Sequence, residues 1–201
     1  MCLGAHADDI EIGCGGTLLR WLDEYEKVEL TWAVLSSAQP RAAEALGSAQ
    51  SLVQGRAPLD VVLGDFDDAH MPADFSRVKA FLEGLRGRGE VDVVLTHCLE
   101  DRHQDHRLIG ELTWQCWRDH LILGYEIPKY EGDLGHPNLF VALTTATVDR
   151  KVAHLLEHFG SQRSRDWFSA DTFRGLMRLR GLECRSASGY AEAFHVLKAT
   201  L

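Results

Sequence analysis

The stretch LGAHADDIEIGCGG, residues 3–16, contains the features that decide the fold. A short apolar run ends at His6, Asp8 and Asp9, and a glycine-rich segment follows directly. Short apolar runs bounded by polar and glycine residues are typical of buried strands. Aspartate is favoured where helices begin, so the same residues indicate a change from strand to helix.

The rest of the chain repeats this change several times. In TLLRWLDEYEK, residues 17–27, the apolar side chains recur on one face, which predicts a helix packed on a sheet. Further helices are predicted at 41–55, 75–86 and 106–120, and strands at 28–35, 59–64, 91–97 and 121–127. This alternation predicts an α/β fold, a single Rossmann-like domain over residues 1–201 with a mostly parallel sheet flanked by helices.

Composition limits the kinds of partner. The chain has 201 residues and a formal net charge of −9, which argues against nucleic acids and anionic membranes as partners. No apolar run approaches the length of a membrane span. We therefore expect a small-molecule ligand and leave a homo-oligomer open.

Five cysteines without C-x-x-C spacing, in a chain of this size, predict reduced thiols and a cytoplasmic location. The amino terminus has no secretory signal, and only residues 1–5 precede His6, so the first strand is expected to be short.

Two polar clusters, His6-x-Asp8-Asp9 and His103-x-Asp105-His106, follow predicted strands. Ligands of parallel sheets gather outside the carboxyl ends of the strands, where both clusters are expected to lie. Histidine and carboxylate are zinc ligands in catalytic sites, which leave one position for a water that ionises near neutral pH.

Each feature also has an ordinary structural explanation. A lone histidine at a strand end is more often a hydrogen-bonded structural residue, and adjacent aspartates often form a turn or a helix cap. The GCGG segment lacks the G-x-G-x-x-G spacing of dinucleotide-binding folds. The presence of two clusters, each after a strand, favours the metal site.

At AHADDIEIGCGGTL and HQDH the sequence resembles the LmbE-like or PIG-L-type zinc-dependent N-acetylglucosamine deacetylases. The closing GYAEAFHVL, residues 189–197, is similar to the last strand of that family. Two positions differ from the family pattern, since Ala7 replaces a proline and Ile10 a glutamate, with Glu11 next to it. Neither change removes a metal ligand.

The resemblance implies a role for each cluster residue. His6, Asp9 and His106 would bind zinc, with Fe²⁺ or another divalent metal as the alternative. Asp8 would be the general base for the attacking water. His103 would polarise the acyl oxygen, and Asp105 would orient or charge His103.

Arg41 and Asp68 match family positions near the substrate, although a solvated helix start and a turn aspartate explain them equally well. His70 and His97 are interpreted as structural. The irregular stretch PKYEGDLGHPN, residues 128–138, is predicted to be a long loop. Tyr125, Glu126, Lys129 and Tyr130 lie where a substrate-covering loop would start.

The sequence therefore predicts a zinc-dependent hydrolase that removes an N-acetyl or other acyl group from an amino sugar, such as an N-acetylglucosamine conjugate. Two alternatives remain. One is a zinc amidohydrolase for a non-sugar N-acyl amine, and the other is a metal-binding or nucleotide-binding module without catalysis.

Overall fold

The computed structural model describes residues 1–197 and 199. Strands and helices alternate along most of this chain. The strands are β1 Cys2–Gly4, β2 Leu30–Val34, β3 Leu59–Leu63, β4 Val93–His97, β5 Leu121–Tyr125, β6 Leu139–Leu143 and β7 Tyr190–His195. The α-helices are α1 Asp9–Glu24, α2 Arg41–Val53, α3 Phe75–Arg86, α4 Gln104–Cys116, α5 Thr145–His158 and α6 Ala170–Glu183. Short 3-10 helices cover Met71–Asp74 and Gly160–Gln162.

All seven strands form one sheet in the order β3-β2-β1-β4-β5-β7-β6. The five strands from β3 to β5 are parallel, whereas β7 runs antiparallel to both β5 and β6. The predicted α/β fold with a mostly parallel sheet is therefore confirmed. The chain leaves β1 toward β2 on one side and later returns to β4 on the other. The carboxyl ends of β1 and β4 thus form the point at which the strand order reverses, where α/β sheets bind ligands.

Both faces of the sheet are covered by helices. Alternate residues of a strand point to opposite faces, and β2 shows this clearly. Trp32 and Val34 pack in a core with α1, α2 and α5, whereas Ala33 and Leu35 pack in a second core with α3 and α4. Among the described residues, no helix combines the length and apolarity needed to cross a membrane.

Helix α1 begins at Asp9, eight residues before the predicted start at 17. The glycine-rich segment lies within this helix, and its glycines are required for close packing. A Cβ on Gly13 would lie 2.2 Å from Cδ2 of Tyr125, and one on Gly16 would lie 2.6 Å from Cδ1 of Leu143. The glycines thus let α1 pack directly against the sheet, although glycine lowers intrinsic helix propensity.

The remaining sequence predictions differ in outcome. The four predicted strands and the helices near 41–55, 75–86 and 106–120 are all present, with ends that differ by at most four residues. Residues 128–138 contain neither helix nor strand, as predicted, and β7 occupies most of the expected last strand. Strand β6 and helices α5 and α6 were not assigned from the sequence.

Candidate metal centre

Histidine and aspartate side chains from distant parts of the chain meet at the carboxyl ends of β1 and β4. His6 and Asp9 follow β1, His97 ends β4, and His103 and His106 lie at the start of α4. Three of them, His6, Asp9 and His106, are each at most 6% exposed. Buried polar groups need partners, so the cluster is a specific arrangement with a high desolvation cost.

The three predicted metal ligands present one donor atom each to a common point. Nδ1 of His6 lies 3.1 Å from Nε2 of His106 and 3.3 Å from Oδ2 of Asp9, and the last two atoms are 3.5 Å apart. Neighbouring ligands of a tetrahedral zinc ion, at bonds of about 2.0–2.1 Å, are about 3.3 Å apart. The donor spacing therefore fits a divalent metal of this size.

The charges of the buried side chains also favour a divalent metal ion at this site. Four carboxylates of the site are buried, while Arg41 and Lys129 supply the cationic side chains in direct contact with them. The buried carboxylates are Asp8, Asp9, Asp101 and Asp105. Burial by itself lowers the pKa of His6, but Asp9, Asp105 and Asp68 raise that pKa well above its usual range. The cluster thus attracts a cation, either a proton on His6 or a metal ion.

His106 is suited to metal binding because it stays neutral. Burial, followed by the nearby His97, lowers the pKa of His106 to about 4. A neutral imidazole keeps a lone pair for a metal at pH 7. The described residues contain three overlapping groups of possible metal donors, and each predicted ligand belongs to at least one of them, although no single group contains all three predicted ligands. The groups are His6 with His103 and His106, His6 with Asp68, His103 and Asp105, and Asp9 with His97 and His106.

Asp8 lies beside the donor atoms but has a different partner. Its Oδ1 accepts a hydrogen bond from Nη2 of Arg41, the first residue of α2, at 2.8 Å. Burial and then the charge of Asp9 raise the pKa of Asp8 to about 6, while Arg41 opposes the shift. A carboxylate with a pKa near neutrality is suited to accept a proton from a reacting group.

His103 is the N-cap residue of α4. Its Nδ1 accepts a hydrogen bond from the backbone N–H of Asp105 at 3.3 Å, which leaves Nε2 to carry the ring hydrogen. Burial and then His6 lower the pKa of His103, which favours this neutral form. The His103 ring centroid is 4.9 Å from that of His6, so the ring lies beside one of the candidate metal ligands.

The carboxylate of Asp105 lies in the cluster, but its hydrogen bonds go to backbone groups and not to the His103 ring. It accepts hydrogen bonds from the backbone N–H groups of Ala69, at 2.7 Å, and Met71, at 3.1 Å. Its Oδ2 also lies 3.5 Å from Nε2 of His6. The described contact between Asp105 and His103 runs through the backbone, so the orienting role of the carboxylate stays a prediction.

Asp68 lies at the rim of the centre. Its Oδ1 is 2.9 Å from Nε2 of His6 and its Oδ2 is 3.5 Å from Nη1 of Arg41, yet its side chain is 56% exposed. The interaction with His6 is the largest cause that lowers the pKa of Asp68, to about 2. The side chain is therefore ionised and accessible, as a residue that contacts substrate must be.

Two further residues line the site. His97 stacks on His106 with ring centroids 4.0 Å apart, and its Nε2 accepts the backbone N–H of Ala5 at 3.0 Å. The same Nε2 lies 3.3 Å from Oδ2 of Asp9, and the structural role of His97 stays a prediction. Asp101, which was not considered, has Oδ2 at 3.0 Å from Nδ1 of His106. A usable signal existed, since His97 ends a predicted strand and Asp101 lies between that strand and the HQDH motif.

Residues 125–130 do not form the mixed substrate surface that was expected. Tyr125 is buried and its hydroxyl donates to the carbonyl of Leu3 at 2.6 Å, while Glu126 is buried against Arg180. Lys129 contacts Asp101, and Tyr130 alone of the four expected residues is exposed, at 68%. Tyr125 and Glu126 are part of the core because β5 is a central strand with helices on both faces.

The sequence model of the family "PIG-L: GlcNAc-PI de-N-acetylase" matches residues 1–117. The chain belongs to the PIG-L family. The matched part runs from β1 through α4 and contains every predicted metal ligand and catalytic residue, together with Arg41 and Asp68. Lys129 and the 128–138 segment of this PIG-L-family chain lie beyond it.

Solved structures support the fold of the PIG-L-family chain. It is similar to an N,N'-diacetylchitobiose deacetylase from Pyrococcus horikoshii, with 19% identity, coverage of 98% of this chain and 82% of that one, and a TM-score of 0.75. A deacetylase of the teicoplanin biosynthetic pathway has 15% identity, 98% and 97% coverage and a TM-score of 0.75.

A 4-carboxy-2-hydroxymuconate hydratase from Pseudomonas putida is similar as well, with 17% identity, 100% and 97% coverage and a TM-score of 0.73. No curated protein sequence matches this chain. At these identities the likeness shows a shared fold, and folds host more than one reaction.

Proposed function

We propose that this chain is a divalent-metal-dependent N-deacetylase that hydrolyses the N-acetyl or another N-acyl group of an amino-sugar conjugate. The observation that carries the proposal is the arrangement of donor atoms on His6, Asp9 and His106, 3.1–3.5 Å apart, beside the Asp8–Arg41 pair. Membership of a de-N-acetylase family supports the reaction class.

His6, Asp9 and His106 would hold the metal, and two nitrogens with one carboxylate oxygen are a donor set typical of catalytic zinc. When bound, the metal would supply Lewis acidity that lowers the pKa of water and polarises the acyl carbonyl. Fe²⁺ or another divalent ion remains the alternative in the cell.

Asp8 would act as general base. Its carboxylate is buried next to Asp9, and Arg41 holds one of its oxygens, so the other is available to accept a proton from the attacking water. The same proton would later be needed by the departing amine, which leaves only poorly as an anion.

His103 would stabilise the charge that develops on the acyl oxygen. Because Nδ1 accepts the Asp105 N–H, the Nε2–H of the neutral ring is the donor that remains. A donor placed in advance where charge appears in the transition state accelerates acyl transfer. Asp105 would support this histidine by its charge rather than by direct contact.

Arg41 and Asp68 would bind the substrate at the open side of the centre. Asp68 is half exposed and ionised, so it can accept hydrogen bonds from sugar hydroxyl groups. Arg41 lies between Asp68 and Asp8, and thus connects the proposed substrate contact to the proposed base.

The test is metal analysis combined with amine release. The purified protein is expected to carry about one divalent metal per chain and to release amine from at least one member of a panel of N-acetylglucosamine conjugates. N-acyl amines without a sugar form a second arm of the panel and an unsaturated hydroxy acid forms a third, because a similar fold occurs in a hydratase.

Amine release only in the second arm would show that the substrate is an N-acyl amine without a sugar. Addition of water to the unsaturated acid without amine release would overturn the deacetylase proposal. Absence of metal after treatment with Zn²⁺, Fe²⁺ or Co²⁺ would overturn the metal centre itself.

A further inference from the structure

The carboxylate of Asp101 has no role in the proposed reaction, yet it contacts both histidines at the start of α4. Its Oδ1 accepts the backbone N–H of His103 at 2.8 Å, and its Oδ2 lies 3.0 Å from Nδ1 of His106. Asp101 is 1% exposed, and its Oδ2 is also 2.9 Å from Nζ of Lys129. A buried carboxylate with three polar contacts is held in one orientation.

This orientation determines which nitrogen of His106 carries the hydrogen. An ionised carboxylate only accepts hydrogen bonds, so Nδ1 of His106 must be the donor toward Asp101. Nε2 then keeps its lone pair. Nε2 is the atom that faces Nδ1 of His6 and Oδ2 of Asp9, at 3.1 and 3.5 Å.

Lys129 contacts the same oxygen of the Asp101 carboxylate that faces His106. Its ammonium is also 2.7 Å from Oδ2 of Asp133, and that oxygen accepts the backbone N–H of Arg102 at 2.7 Å. The irregular 128–138 segment is thereby attached to the turn that precedes α4. The positive charge of Lys129 offsets the cost of burying Asp101. A carboxylate oxygen can accept two hydrogen bonds, so Oδ2 can accept from both Lys129 and His106.

We propose that Asp101 is a positioning residue that fixes His106 in the Nδ1–H tautomer, with Lys129 holding the Asp101 carboxylate in place. Carboxylates that receive the second N–H of a metal-binding histidine orient the ring and raise its basicity. The inference rests on the proposed function only where it assigns His106 to the metal, because the tautomer is a property of the metal-free chain.

The first measurement is the tautomer of His106 in the full-length, metal-free protein at neutral pH. Two-bond ¹H–¹⁵N spectra distinguish the protonated from the bare ring nitrogen, and a His106→Gln variant identifies the signals. We expect the Nδ1–H form in the wild type. Observation of the Nε2–H form would overturn the proposal, and this measurement requires no Asp101 variant to fold.

The second measurement compares two variants with matched substitutions. Asp101→Ala removes the acceptor, so His106 should populate the Nε2–H form and Zn²⁺ affinity should fall about 10–100-fold in competition with a chelator. Asp133→Ala also removes a buried carboxylate from Lys129, but it leaves Asp101 on His106. Its Zn²⁺ affinity should change by less than about threefold.

An equal loss of affinity in both variants would overturn the positioning role, since it would reflect general destabilisation. The two proposals fail separately. If the wild type binds no metal, the proposed function fails. The tautomer of His106 in the metal-free protein still supports or overturns the present inference.

Discussion

The two polar segments of the site, residues 5–9 after β1 and residues 103–106 at the start of α4, are similar in content but differ in their surroundings. Each contributes a proposed metal-binding histidine and a proposed catalytic residue. His6 and Asp8 contact Asp68 and Arg41, whose side chains are 56% and 22% exposed. The outer nitrogen of His106 instead contacts Asp101, which is 1% exposed.

This difference separates two tasks. Contacts between buried groups are weakly screened and hold one geometry, whereas contacts of exposed charges are screened and readily exchanged for water or ligand. We therefore expect the Asp101 contact to hold His106 in one geometry, and the contacts of Asp68 and Arg41 to exchange more readily with water or a ligand.

The largest effect is expected when either histidine ligand is removed. His6→Ala and His106→Ala should each lower metal content from about one per chain to near zero and abolish activity, because two remaining donors do not retain the ion. His120→Ala, at the opposite end of β5, is the control and should retain both. A His6 variant that keeps its metal would show that the β1 segment does not take part in binding.

Removal of the proposed base should leave the metal in place. Asp8→Asn keeps the shape of the side chain but removes a proton acceptor, so kcat should fall about 10²–10⁴-fold at unchanged metal content. Steady-state kinetics with metal analysis on the same sample measure this. Retention of most of the kcat would assign the base elsewhere.

The corresponding catalytic residue of the α4 segment is His103. His103→Ala should lower kcat about a hundredfold with little change in KM or metal content, because the contact is made mainly in the transition state. A change confined to KM would instead make His103 a residue that binds the substrate equally in the ground state and the transition state.

A smaller effect is expected for the exposed rim. Asp68→Asn should raise KM several-fold, up to about tenfold, and leave Zn²⁺ affinity unchanged within about threefold, because Asp68 touches His6 from a solvated position. A drop in Zn²⁺ affinity as large as that of Asp101→Ala would remove the distinction between the two segments.

The smallest effect is expected on the stability of the fold in acid, through a histidine outside the centre. This effect must be measured before a loss of metal in acid can be interpreted. Burial and then His158 lower the pKa of His154 to about 4, while Nε2 of His154 lies 2.8 Å from Oγ of Ser48. Its neutral form stabilises the fold fully above pH 6.5, and this contribution is lost as the pH falls toward 4.

The glutamine of His154→Gln does not titrate. Between pH 6.5 and 4.5 the Tm of this variant should therefore fall a few degrees less than the Tm of the wild type. Thermal melts of both proteins in metal-free buffer measure the difference. Identical slopes would show that His154 does not contribute to acid unfolding.

Much of the fold was predictable because its pattern is local. Alternating β-rich and amphipathic segments indicated the parallel α/β part, and strand ends located both polar segments at the carboxyl edge. Helix α1 begins eight residues earlier than predicted, although glycine lowers intrinsic helix propensity. Gly13 and Gly16 are required there because Tyr125 and Leu143, more than a hundred residues away, leave no room for a Cβ.

The fold class, the family and the candidate ligands could be predicted from the sequence alone, because hydrophobic periodicity and motif spacing involve residues that are close together in the chain. The partner of each side chain, in contrast, is visible only in the folded structure. Arg41 reaches Asp8 from another helix, and Lys129 reaches Asp101 from the loop after β5. The first contact depends on β2 lying beside β1 and the second on β5 lying beside β4, and this strand order comes from the packing of the whole core.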